Sequence, residues 1–159
     1  MPKITTRKDE RESTGEPQTR TDIFSPEKRS EVMSKVRSKD SKAEIKVRSA
    51  LHAAGFRFRL HRKDLPGTPD ILLPKHKLVI FVHGCFWHRH EGCPRASIPK
   101  SNKVFWENKF NQNVERDNKA RMALEKMGWR VSIIWECSVN KKGTFDLSSL
   151  PLIKDLLNV

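Results

Sequence analysis

The sequence predicts an α/β fold, with a central mixed sheet flanked by helices. The sheet is an antiparallel meander plus one parallel strand. Three observations predict it. Apolar segments ending at Leu60, Leu73 and Val82 are joined by short links, so they pair antiparallel. A helical segment, residues 102–127, then separates them from a last apolar segment, 129–135, and is long enough to return it parallel to a neighbour. The run 78–82 is apolar throughout, as a strand buried on both faces is.

In chain order, residues 1–24 are polar and aperiodic, with Pro2, Gly15 and Pro17, and read as a disordered N-terminal tail. Residues 25–159 read as a single domain. Ser25-Pro26-Glu27 starts a helix: Ser25 caps, Pro26 takes the first turn, and Glu27 suits the positive helix end. This helix is expected to reach about Ser38, with Val32, Met33 and Val36 on its apolar side and Met33 packed on the core or set in a DNA groove. Ser41 and Glu44 form a capping box for a second helix, whose stripe is Ala43, Val47, Ala50, Leu51 and Ala54 and whose stop is Gly55. Phe56, Phe58 and Leu60 alternate with arginines as a half-buried strand. Residues 61–69 link it to the strand 71–73, a turn at 74–76 and the strand 78–82. The long helix 102–127 carries Ala120, Ala123, Leu124 and Met127 on its apolar face and closes at Gly128. Trp129 and Trp135 read as core packing on the last strand.

The formal net charge is +13 over 159 residues. Residues 1–24 hold five basic and five acidic side chains, so the excess lies on the folded part. A domain this basic attracts a polyanion, and nucleic acid fits best. No apolar run approaches membrane-spanning length and no leader pattern opens the chain, so a cytoplasmic protein is expected, with no membrane partner. Three cysteines in a reducing compartment suit metal ligation better than a disulfide framework.

The chemistry concentrates between Phe81 and Cys93, where three histidines, two cysteines and Phe86-Trp87 fall within thirteen residues. Cys85, Cys93 and Cys137, with one histidine from His88 or His90, would complete a Cys₃His tetrahedron suited to structural zinc. Thiolates argue against magnesium or calcium there. The other histidine of the pair is then free to act as a base. Asp70 begins a strand, and a short hairpin places it near His83 at one end of the sheet. Asp70, with Glu44 on the preceding helix, is a candidate for holding Mg²⁺ against a phosphate. Phe86, Trp87 and Trp106, flanked by Arg89, Lys100, Lys103 and Lys109, are candidates for stacking on bases or wedging between them.

Leu65-Pro66-Gly67-Thr68-Pro69-Asp70, the string from Ile80 to His90, Phe105-Trp106, Asn113-Val114-Glu115-Arg116-Asp117 and Trp135-Glu136-Cys137 resemble, in that order, the very-short-patch repair (Vsr) endonucleases. The resemblance runs from about Ser25 to Cys137 and implies a restriction-endonuclease-like fold with a structural zinc site. It implies a Mg²⁺-dependent nick 5′ of the thymine in a T:G mismatch, the lesion left when 5-methylcytosine deaminates, in double-stranded DNA. Carried over position by position, Asp70 and the backbone carbonyl of Val82 hold Mg²⁺, His88 is general base, His83 supports it, and Glu44 arranges metal water. Zinc takes Cys85, His90, Cys93 and Cys137. Phe86, Trp87 and Trp106 form the intercalating wedge, and Met33 contacts the opposite groove. Asp117 is expected to hydrogen-bond a catalytic histidine and fix its tautomer. Mismatch-repair proteins are further expected partners of a monomeric, nucleoid-associated enzyme.

The sequence departs from the wider superfamily in having Phe81-Val82-His83 where an acid-x-Lys motif is usual, so catalysis must lean on histidines and metal water. Val82 stands where a relative can carry Thr, which leaves a backbone ligand but no hydroxyl. Glu91-Gly92 alters the length of the zinc loop. Two other readings are a non-catalytic, zinc-stabilised DNA-binding module and a restriction-type nuclease cutting both strands. The first has no need of Asp70 with His88, and the second calls for the missing acid-x-Lys pair.

Overall fold

The computed structural model describes residues 24–35, 39–139 and 145–157. The tail preceding Phe24 and the expected end of the first helix, 36–38, lie outside them. Among the described residues, five α-helices and four strands follow in the order α1 (Pro26–Ser34), α2 (Lys42–Ala53), β1 (Arg59–Leu60), β2 (Ile71–Leu73), β3 (Leu78–His83), α3 (Lys103–Lys126), β4 (Arg130–Trp135), α4 (Glu136–Val139) and α5 (Pro151–Leu157).

The strands form one sheet in the order β1-β2-β3-β4. β1 and β2 are antiparallel, as are β2 and β3, whereas β3 and β4 run parallel with Leu78 opposite Arg130 and His83 opposite Trp135. The expected meander plus one parallel strand is therefore present. β2 and the first half of β3 are buried on both faces. Ile71, Leu73, Leu78 and Ile80 pack with Ala43, Val47 and Leu51 of α2 and with Val139 and Ile153 from the C-terminal helices. The alternate residues Leu72 and Val79 turn to the other face and meet Leu65, Trp129 and Leu124 of α3. Two helical layers thus cover the sheet. Among the described residues no helix is long and apolar enough to cross a membrane.

Both long helices end alike. After α2, Gly55 takes φ +83° and its N–H donates to His52, while the Phe56 N–H donates to Leu51. After α3, Gly128 takes φ +82°, and Gly128 and Trp129 donate to Glu125 and Leu124. These are Schellman stops, and they explain two departures from expectation. Phe56 is buried because it closes the helix, so the strand expected over 56–60 shrinks to Arg59–Leu60, both exposed. Met127, expected on the apolar face of α3, is the C-cap and is 54% exposed. α1 starts as expected, with the Ser25 hydroxyl accepting from Lys28 N–H, but Val32 and Met33 are exposed rather than packed on the core. The helices α4 and α5 were not anticipated.

Candidate active site and metal-ligand cluster

Asp70 sits immediately before β2, fixed there by the buried Pro69 and by the close packing of Gly67 on α3. A side chain at Gly67 would place its Cβ 2.7 Å from that of Ala120, and its φ of +74° also favours glycine. The Asp70 carboxylate accepts the Val82 N–H at Oδ2, at 2.8 Å. Its other oxygen lies 3.9 Å from His61 Nδ1. Burial, with the Glu44 charge adding to it, pushes the Asp70 carboxyl up to about 6 against the opposing Val82 hydrogen bond.

Asp70, Val82, His83, Trp87, His88 and Asp117 share one cavity of about 740 Å³, which Glu44 also lines. His83 ends β3 with its ring stacked on that of His88, 3.8 Å between centroids and 13° between planes. Burial and the neighbouring His88 charge push His83 down to about 4, so it stays neutral at physiological pH. His88 Nδ1 lies 2.5 Å from Asp117 Oδ2, and Asp117 reaches in from the middle of α3. Burial opposes the Asp117 charge, but the His88 hydrogen bond and charge hold its carboxyl below the usual range. A carboxylate can only accept, so the proton sits on Nδ1 and leaves His88 Nε2 to take another.

Glu44 is buried but its oxygens are engaged. One accepts the Ser41 N–H, completing the capping box, and the other accepts the Asp40 N–H and an N–H of Arg48. Sequence reading did not single out Arg48, which contacts Glu44 and His61, or His61, which lines the cavity beside Asp70 and Glu44. Arg48 has the helix spacing i+4 from Glu44 as its only sequence signal; His61 has none.

Cys85, His90, Cys93 and Cys137 converge, with one potential ligand atom of each within 4.8 Å of all the others. His90 Nδ1 lies 3.6 Å from Cys85 Sγ and 3.3 Å from Cys137 Sγ. Of the two candidate histidines, His90 turns to the thiols and His88 to Asp117. The cluster could hold a metal ion. It is joined to the cavity through rings: His90 stacks on Trp135 at 4.2 Å and 8°, Trp135 meets His83 edge-on at 5.5 Å, and His83 stacks on His88. Glu136 adds a second tie by accepting the Cys85 N–H at 3.3 Å. Trp135, expected only to pack the core, thus lies between the two centres.

Phe86, Trp87 and Trp106 form an aromatic cluster beside the cavity, with ring centroids 5.1 to 6.1 Å apart. Its base is the buried Phe110, one turn on from Trp106, with the Arg89 guanidinium 4.5 Å over its ring. The backbone carbonyl of Trp87 accepts from Asn113 of α3 at 3.2 Å, which ties the cluster to the helix that supplies Asp117. Met33, on α1, does not line the cavity.

A family model described as DNA mismatch endonuclease Vsr matches residues 21–95. The chain is 51% identical over 126 residues to the type II nicking enzyme V.XorIIP of Xanthomonas oryzae, covering 79% of this chain and 92% of that one. It is 49% identical to the type II nicking enzyme V.NmeAIP of Neisseria meningitidis over 77% of this chain and 86% of the other. It is 38% identical to the DNA mismatch endonuclease Vsr of Escherichia coli, over 74% and 75% of the two chains.

Proposed function

Since the chain belongs to the Vsr family of DNA mismatch endonucleases, we propose that it nicks one strand of double-stranded DNA 5′ of the thymine in a T:G mismatch, by Mg²⁺-dependent hydrolysis with His88 as general base. The observation that carries this reading is the His88–Asp117 pair, which shares its cavity with Asp70 and has an aromatic cluster at its side. In the neutral His88 ring Asp117 holds the proton on Nδ1, so Nε2 is the nitrogen that would accept the proton of an attacking water. His83 stacks on that ring, limits its rotation and, being neutral, adds no competing charge. Glu44, which also lines the cavity, acts on Asp70 through its charge.

The residues present fit both expected metals. Burial drives the Asp70 carboxyl up to about 6 despite the opposing His61 and Arg48 charges, and a divalent ion on Asp70 and the Val82 carbonyl would keep it ionised. When bound there, Mg²⁺ supplies positive charge beside the scissile phosphate. For zinc, bonds of about 2.3 Å to sulfur and about 2.0–2.1 Å to nitrogen at tetrahedral angles put S and N about 3.6 Å apart. The two S···N distances of 3.6 and 3.3 Å match that value. The buried Cys85 thiol, pushed up to about 12 by burial and its neighbouring thiols, needs such a cation to be a thiolate.

The +13 charge supports DNA as the partner, and Phe86, Trp87 and Trp106 are placed to stack on or wedge between bases beside the cavity. Met33, exposed on α1, is free to reach the duplex from elsewhere. The restriction-endonuclease-like fold follows from the family and agrees with the mixed sheet. Residues 25–159 act as one monomeric unit in the cytoplasm, with mismatch-repair proteins as further partners. The test is Asp70→Ala on a T:G duplex: binding persists and nicking is lost. Nicking at the wild-type rate by Asp70→Ala would overturn the assignment.

A further inference from the structure

His61 lines the catalytic cavity beside Asp70, and nothing above gives it a part in the chemistry. Its backbone is tied to that of Asp70: just past the end of β1, the His61 N–H donates to the Asp70 carbonyl at 3.3 Å. His61 takes φ +46°, a left-handed conformation that few residues other than glycine adopt. Its ring is held by Arg48, which does not itself line the cavity. The Arg48 guanidinium is fixed by Asp40 Oδ1 at 2.5 Å and Glu44 Oε2 at 2.7 Å, and its Nη2 lies 2.9 Å from His61 Nε2. A guanidinium can only donate, so Nε2 accepts and the proton of the neutral ring is on Nδ1. The Asp40 and Glu44 carboxylates stand 3.7 and 3.9 Å from Nε2, beyond hydrogen-bond length, and do not draw the proton there. A protonated ring would carry a proton on Nδ1 as well, so Nδ1 donates in either state. Asp70 Oδ1, 3.9 Å from Nδ1, is also too far to accept. Among the described residues the Nδ1–H has no acceptor, and it is not sealed from solvent.

His61 thus presents the cavity with a donor of fixed direction, and the acceptor that suits it best is an anionic oxygen. We propose that His61 Nδ1–H donates a hydrogen bond to one non-bridging oxygen of the scissile phosphate and stabilises the charge that builds there as water attacks. This rests on the reading of the cavity as the site of phosphodiester hydrolysis. The proton of the attacking water still goes to His88, and His61 transfers none. His61 is on this account a catalytic residue, and Arg48, acting through it, a positioning residue that sets its tautomer.

The test pairs His61→Gly, which suits the left-handed backbone and removes the donor, with three T:G duplexes. In one the scissile phosphate is unmodified, and in the others either non-bridging oxygen is replaced by sulfur, a poor acceptor, as the separated Rp and Sp diastereomers. Single-turnover nicking is measured with Mn²⁺, which tolerates sulfur. On the unmodified duplex His61→Gly is expected to be ~10–100-fold slower than wild type, the range for one hydrogen bond to a charged group, with duplex affinity unchanged. The same loss is expected on one diastereomer and little or none on the other, where wild type has already lost its acceptor. His61→Asn, whose amide N–H can stand near the place of Nδ1–H, is expected to recover much of the rate. Should His61→Gly not fold, His61→Asp, which tolerates the same backbone and can only accept, serves in its place. Wild-type nicking by the variant, or an equal loss on all three duplexes, would overturn the inference, the latter assigning His61 to the orientation of Asp70. No nick by wild type on the unmodified duplex would instead overturn the reading of the cavity, and the inference with it.

Discussion

The proposed role of His88 as a base requires the proton of its neutral ring to be on Nδ1, and the contact that favours this is Asp117. Asn at position 117 can turn its amide N–H toward the ring and favour the opposite tautomer. Asp117→Asn is therefore expected to lower kcat by ~10²-fold or more, within the range general-base catalysis contributes, with duplex affinity unchanged. Single-turnover nicking beside a binding isotherm checks this, and wild-type kcat would contradict it. Asp70 makes a prediction of opposite sign for stability. Its folded carboxyl is raised from 3.8 to about 6, so the fold prefers the protonated form. That preference stabilises fully below about pH 3.8 and is lost as pH rises through about 6. At pH 8 without divalent metal the buried carboxylate costs up to about 3 kcal/mol, at ~1.4 kcal/mol per pKa unit. Asp70→Asn is expected to melt higher than wild type at pH 8 in chelator, and Mg²⁺ to raise the melting point of wild type alone. An unchanged or lower melting temperature for the variant would contradict the assignment. At this scale the motif residues were legible because their chemistry is written locally: a proline-held Asp, a run of histidines and cysteines, an Asp on a helix. Arg48, His61 and Phe110 were not, because their roles depend on contacts across the fold or on what lies beneath a ring.

At the scale of elements, the site is assembled where β3 and β4 end side by side. Their parallel register sets His83 opposite Trp135, and Trp135 then separates His90 of the thiol cluster from His83 of the catalytic cavity. Trp135→Leu keeps apolar bulk but removes the flat ring from between them. It is expected to lower kcat by about tenfold, equivalent to ~1.4 kcal/mol, with little change in KM and full zinc content, and Trp135→Phe to recover most of the loss. An equal loss in both variants would point to simple packing. The helix starts, the meander and the crossover were legible because capping residues and apolar periods are local signals. The alternation at Phe56, Phe58 and Leu60 misled because the same pattern serves a Schellman stop, whose apolar residue is buried against its own helix. Val32 and Met33 were left open between core and DNA groove, because an apolar stripe does not say whether the protein or a ligand covers it; both are exposed. The C-terminal helices α4 and α5 are short, and Val139 and Ile153 show their burial only once the sheet is formed.

For the whole molecule, the thiol cluster joins the loop after β3 to the residues after β4, so a metal ion held there would contribute to folding. Cys85→Ala, or chelation strong enough to remove zinc, is expected to lower the melting temperature and the soluble yield, followed by thermal melting with metal analysis. A Cys85→Ala protein that folded and held zinc like wild type would contradict the ligand set. On the proposed function, the basic charge, the aromatic cluster and the His88–Asp117 pair would serve one event, the hydrolysis of one phosphodiester beside a mismatch. The most direct test is strand-resolved cleavage of a labelled duplex carrying one T:G mismatch, with and without Mg²⁺, beside a fully paired control. The account predicts a single nick on the 5′ side of the mismatched thymine, requiring both the mismatch and the metal. Cleavage of the paired control, or tight mismatch binding with no nick in any flanking sequence, would contradict it.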